Sequence, residues 1–135
     1  DGDEPENVVA LLRREAAAGD KLLHDHGFSG ETVLDSAQDA NMHSSELGGL
    51  LSLICHEIYT NMLKHAETAR PYHVSISLSS SRVCIRYANG IGEQSVAGGG
   101  SGLRSLQSLI TSMGGDFSHD ARDGEWNGTV AIPLR

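Results

Sequence analysis

Apolar positions recur along this chain with two periods, one helical and one of two residues. Val8, Val9, Leu11 and Leu12, then Leu22 and Leu23, predict an amphipathic first helix, interrupted around Gly19 and ending near Gly27. Glu31 to Ser36 reads as a weakly patterned strand. The polar stretch from Ser36 to Ser45 reads as a loop leading to a helix cap at Ser44 or Ser45. Leu47 to Ala66 predicts a long helix, with Leu51, Cys55, Ile58, Met62, Leu63 and Ala66 on its apolar side. Glu67 to Tyr72 contains Pro71 and reads as a connection. Val74 to Leu78 and Val83 to Tyr87 alternate with period two around Ser79 to Arg82, which predicts a β-hairpin. Glu93 to Gly99 reads as a short mobile lid. Beyond it, Leu103, Leu106, Leu109, Ile110 and Met113 return to helical spacing, with Gly114 as the stop. Asp116 to His119 and Thr129 to Leu134 pair as strands around a loop from Asp123 to Gly128. The pattern predicts an α/β fold of α+β character, a two-layer sandwich of three helices on a mixed, largely antiparallel sheet.

The polar side of the long helix carries chemistry. At about 100° per residue, Glu57, Asn61, Lys64 and His65 fall within roughly a 100° arc. A neutral side-chain oxygen such as that of Asn61 can enter an octahedral Mg²⁺ shell beside phosphate oxygens and water without overloading its charge. Glu57 would project near it and could hold a metal-bound water. Lys64 offers phosphates a point charge and His65 a donor. A solvated helix face could carry the same residues, but two glycine stretches downstream, Asn89-Gly90-Ile91-Gly92 and Gly98 to Leu103, favour a nucleotide site. Gly90 and Gly92 allow positive φ and a close backbone approach to a planar base. Gly100 and Gly102 would present unpaired backbone N–H groups to phosphate at the start of the helix that Leu103 opens.

In that order these elements resemble the ATP-binding domain of two-component sensor histidine kinases, within the superfamily shared with gyrase, mismatch-repair ATPases and a heat-shock chaperone. Glu57, Asn61 and Lys64-His65-Ala66 match its N box, Asn89-Gly90-Ile91-Gly92 most of its first glycine box, and Gly100-Ser101-Gly102-Leu103 its second. Gly114-Gly115 and Gly128-Thr129 through Leu134 are similar to its closing element, so the resemblance spans nearly the whole chain. It implies a Bergerat-type fold, Mg²⁺ and ATP as cofactors, Glu57 as an assisting catalytic residue, Asn61 as the metal ligand, and Thr129 at the base pocket. One position departs from the family. Ala88 stands where an Asp usually accepts a hydrogen bond from the adenine amino group, and losing such an acceptor costs on the order of 1.5 to 3 kcal/mol. Asn89 could supply its side-chain oxygen instead.

Composition adds limits. The 135 residues make one domain of ordinary size, and the start at Asp1 reads as that of a fragment of a longer protein. A net charge of −8, from 18 acidic and 10 basic residues, argues against nucleic acid and anionic membranes as partners. Cys55 and Cys84 both sit in apolar patterns and read as buried thiols, which points to a cytoplasmic setting, while the parent protein could be membrane-anchored. Leu23-His24-Asp25 resembles the phosphoacceptor motif of one kinase subfamily. Only 36 residues separate His24 from Asn61, too few for a dimerisation hairpin plus the first elements of the ATPase fold, so His24 reads as an exposed helix-end residue.

The sequence thus predicts a catalytic domain, residues 1–135, that binds Mg·ATP and donates the γ-phosphoryl group to a histidine. That histidine would lie on a dimerisation domain of the parent chain, with a response regulator downstream. The isolated fragment would phosphorylate itself poorly. A switch-protein or anti-sigma-factor serine kinase is one alternative, and a nucleotide-free signalling module, motivated by Ala88, is another.

Overall fold

The computed structural model describes residues 7–37, 45–91 and 101–134; of residue 45 and of 101–105 only the backbone is described. The elements run α1 (Val8–Asp25), β1 (Gly30–Ser36), α2 (Ser45–His65), β2 (Tyr72–Leu78), β3 (Arg82–Gly90), α3 (Ser101–Ser112), β4 (Asp116–Arg122) and β5 (Glu125–Pro133). Five strands form one sheet in the order β1-β2-β3-β5-β4. β1 pairs parallel to β2, with α2 on the connection between them, and every other pairing is antiparallel. The two-layer α/β sandwich expected from the periodicity is therefore the fold.

Strand alternation assigns the two faces of the sheet. Tyr72, Val74, Ile76 and Leu78 of β2, Val83, Ile85 and Tyr87 of β3, and Val130 and Ile132 of β5 are buried. They join Leu12 and Leu23 of α1, Leu51, Ile54, Ile58 and Met62 of α2, and Leu106 and Ile110 of α3 in one core. The opposite face, with His73, Ser75, Ser77 and Arg86, is exposed. An antiparallel sheet with one wet face and one packed face has this two-residue code.

Several element ends differ from the sequence reading. α1 is unbroken at Gly19, because a side chain there would overlap the Tyr59 ring of α2; the glycine permits close helix packing. Asn7 caps α1, its Oδ1 accepting from Val9 N at 2.9 Å and Ala10 N at 3.2 Å. The loop expected from Asp123 to Gly128 is a two-residue turn, with Asp123 and Gly124 at φ 55° and 76°, so β4 and β5 reach much further toward each other. An Asp-Gly pair at positive φ matches the twist of a tight hairpin. Gly114, at φ 80°, ends α3 as expected, with the Gly115 N–H donating to the Ile110 carbonyl at 2.9 Å.

A polar clasp fixes α1. Asp20 Oδ1 accepts from Thr32 Oγ1 at 2.9 Å and from Tyr72 Oη at 2.6 Å, and Tyr59 Oη lies 2.6 Å from Thr32 Oγ1. His24 is exposed as expected, and its Nε2 bonds the Gly30 carbonyl at 2.8 Å. Burial pushes the Tyr59 phenol up, and burial together with Asp20 does the same to Tyr72, so both hold their protons as donors in this clasp.

Candidate nucleotide-binding site

The last turns of α2 bury Cys55, Ile58, Tyr59 and Met62 and leave Glu57, Asn61 and His65 half-buried, with Lys64 exposed. The four polar residues form one row, as helical spacing requires. Asn61 Nδ2 donates to the Glu57 carbonyl at 2.7 Å and lies 3.5 Å from Glu57 Oε2. A carbonyl only accepts, so it holds the amide nitrogen, and Asn61 Oδ1 remains as the acceptor. Among the described residues no group of three or more His, Cys, Asp or Glu could hold a metal ion. A hard cation bound here would therefore need further oxygen ligands from its partner, as Mg²⁺ takes from phosphates. Cys55 is no nucleophile, since burial pushes its thiol up to about 12.

The end of α2 is clamped onto the first glycine stretch. Ala66 and Ile91 form a β-bridge, and the Gly90 carbonyl accepts from Glu67 N at 3.1 Å and from Asn89 Nδ2 at 2.9 Å. Arg70 Nε meets Glu67 Oε1 at 2.9 Å while Arg70 Nη1 donates to the Gly124 carbonyl at 3.2 Å, and Ile91 N donates to that carbonyl at 2.9 Å. These bonds bring the polar row of α2, the end of β3 and the β4–β5 turn together. Gly90 serves this clamp. Its φ lies outside the positive range, contrary to the expected role, and a Cβ there would come within 3.0 Å of both Arg70 Cδ and Glu67 Cγ.

Register separates the remaining residues. Ala88 pairs with His73 and Asn127, and Thr129 with Arg86 and Ser118, so both project from the exposed face of the sheet, away from α2. Ala88, where the resemblance looks for the base-binding carboxylate, is thus not beside Asn61, and neither is Thr129. Asn89 alternates onto the packed face and is only 5% exposed. Its Nδ2 is engaged with Gly90, which leaves Oδ1 to accept. On the same face Trp126 lies opposite Asn89, and Tyr87 lies across Gly128, where any side chain would overlap its ring. Burial pushes the Tyr87 phenol up to about 12, opposed by Trp126 as a neighbouring donor.

Gly92 and Gly100, with the expected lid from Glu93 to Gly99, lie outside the described residues. Gly102 and Leu103 fall in the first turn of α3, which begins at Ser101, two residues earlier than its apolar periodicity marks. First-turn N–H groups have no acceptor within a helix and suit an anionic oxygen. α3 contacts both α2 and β4.

Two-layer packing, strand order and the placement of α2 give a fold that is also found in solved histidine kinase domains. Solved structures with this fold include the histidine kinase domain of the blue-light-activated histidine kinase EL346 from Erythrobacter litoralis. It is 21% identical with a TM-score of 0.68, and the match covers 95% of this chain and 61% of that one. The histidine kinase AdeS of Acinetobacter baumannii is 12% identical, with a TM-score of 0.69 over 98% of this chain and 67% of its own. The catalytic domain of histidine kinase ThkA is also 12% identical, at TM-score 0.64, with 95% of this chain and 94% of that domain covered. The chain spans less than two thirds of the EL346 histidine kinase domain. No protein-family model matches the sequence, and no curated protein does.

Proposed function

We propose that this chain binds Mg·ATP and donates the γ-phosphoryl group to a histidine on a separate dimerisation domain, as the catalytic part of a sensor histidine kinase. The observation that carries the reading is the pairing of Asn61 with Glu57. The amide nitrogen is held at 2.7 Å by the helix backbone, so Oδ1 is oriented for a cation before one arrives. Mg²⁺ would be held by Asn61, with Glu57 fixing a bound water, and it would supply charge neutralisation on the phosphates. Lys64 and His65, on the same row, would contact the phosphates, and the first-turn N–H groups of Gly102 and Leu103 would seat the triphosphate tail. Asn89 Oδ1 would accept from the exocyclic amino group of the base. Because Ala88 projects from the opposite face, its lack of a carboxylate takes nothing from this pocket, which weakens the nucleotide-free alternative.

Phosphoryl transfer asks for position and charge more than covalent help, and the phosphoacceptor belongs to the parent chain, with a response regulator downstream. Calorimetry with Mg·ATP tests the reading. Heat saturating below millimolar nucleotide supports it, whereas no heat at millimolar nucleotide from protein with intact circular dichroism overturns it. Among the described residues no helix is long and apolar enough to cross a membrane.

A further inference from the structure

We propose that the open face of the sheet carries a second binding site, centred on Ala88, for a small phosphate ester; it is separate from the polar row of α2 and does not depend on the nucleotide reading. Strand register brings three neighbouring strands to one spot. Ala88 of β3 pairs with His73 of β2 and Asn127 of β5, and the next rung of the same face holds Arg86 between Ser75 and Thr129. The short side chain of Ala88 leaves a hollow of about 470 Å³, and the other five residues line it. They offer a guanidinium, an imidazole, a carboxamide and two hydroxyls, all able to donate. Among the described residues, none of these five side chains makes a hydrogen bond or an ion pair within the chain.

Charge sets Arg86 apart. With 18 acidic residues to 10 basic ones, a cation in this chain has carboxylates in excess, and Lys21, Arg70 and Arg122 each meet one, at 2.8, 2.9 and 3.4 Å. Arg86 meets none, and its rung, running Val33, Ser75, Arg86, Thr129 and Ser118 across the sheet, holds no other charge. A guanidinium is a rigid fork that can give a phosphate two parallel N–H bonds. Donors that surround a hollow from three strands suit a tetrahedral anion, which has three free oxygens in a monoester, better than a planar carboxylate with two. Glu31 and Val33 of β1 stand at the rim of the same hollow. A carboxylate there accepts from a hydroxyl and disfavours a bare anion, and Val33, 55% exposed, offers carbon surface to a short chain. The ligand that fits is therefore a phosphate monoester on a small hydroxylated carbon skeleton, rather than free phosphate.

The test follows backbone amide resonances of the isotope-labelled 135-residue chain during titration with glycerol phosphate, inorganic phosphate and glycerol. Glycerol phosphate is expected to move the Ser75, Arg86, Ala88 and Thr129 amides saturably, at lower concentration than inorganic phosphate, while glycerol leaves them in place. Arg86→Gln should weaken the ester about tenfold to a hundredfold, the range for losing charge-assisted hydrogen bonds. Ala88→Ile, which fills the hollow and suits a strand, should remove binding with Arg86 still present. Arg86 is exposed and Ala88 half-buried on the open face, so circular dichroism of both variants should match wild type. Saturating Mg·ATP should not displace the ester, because the two sites lie on opposite faces of the sheet. Amides that stay in place at millimolar ester in wild-type protein overturn the proposal. So do displacement of the ester by Mg·ATP, inorganic phosphate bound as tightly as the ester, or ester affinity that survives Arg86→Gln. Each of these results leaves the nucleotide reading standing.

Discussion

At Asn61 the backbone uses one end of the carboxamide and leaves the other, which separates what a substitution does to the fold from what it does to a ligand. Asn61→Ala removes one hydrogen bond to a helix carbonyl, a net contribution near 1 kcal/mol, and gains most of that back through the better helix propensity of alanine. Its melting temperature should stay within a few degrees of wild type, while the Mg-dependent part of ATP binding disappears from calorimetric titrations. A large fall in melting temperature would make the residue structural instead. Cys55 supplies a prediction of known sign. Its thiol is raised from 9.0 to about 12 by burial and by Glu15, so the folded state favours the protonated form. That stability is complete below pH 9.0 and is lost as pH climbs toward about 12. Urea midpoints measured across this range should fall, and Cys55→Ala should make the fall smaller, leaving the part that the buried Tyr59, Tyr72 and Tyr87 phenols contribute with the same sign. The row from Glu57 to His65 was legible in the sequence because helical spacing alone fixes it. The side on which Asn89 projects was not, because only strand partners fix the parity of residues running into a glycine turn.

Close approaches decide how the elements sit. Gly19 looked like a break in α1, since a glycine within a helical pattern costs stability unless something else requires it. Tyr59 of α2 requires it, and a partner 40 positions along the chain leaves no local trace. Gly19→Ala would force the ring aside and disturb the Thr32–Tyr59 bond, with a cost of about 1 to 3 kcal/mol for overpacking. At a chain length of 135 residues, that is a fall of roughly 3 to 15 °C in melting temperature, readable by circular dichroism. An unchanged melting temperature would show that α1 can slide on α2. The β4–β5 hairpin was a different miss. Asp123-Gly124 is a turn signal open to sequence reading, but Gly128 interrupts the apolar alternation of β5 and so hid four residues of strand. The Tyr87 ring that covers this glycine lies on another strand.

For the whole molecule, the arrangement is a sheet packed on one face, with α2 clamped by its end to the first glycine stretch through Ala66, Glu67 and Arg70. Anything that binds across this junction binds only the folded state, since unfolding separates α2, β3 and the β4–β5 turn. Nucleotide should then raise stability by mass action, by about 2.7 kcal/mol at a hundred times its dissociation constant. In a domain of this size the melting temperature should rise by roughly 8 to 13 °C with saturating Mg·ATP, and by much less with ATP in excess EDTA if Asn61 acts through the metal. The same protein, incubated with γ-labelled ATP, should acquire little or no acid-labile phosphate, because the acceptor histidine lies outside this chain in the proposed reading. Supplying a dimerisation domain from the parent protein should restore labelling on that domain. Labelling that survives acid would mark a phosphorylated hydroxyl and favour the serine kinase alternative, so the lability of the bond discriminates between the proposed chemistry and that alternative.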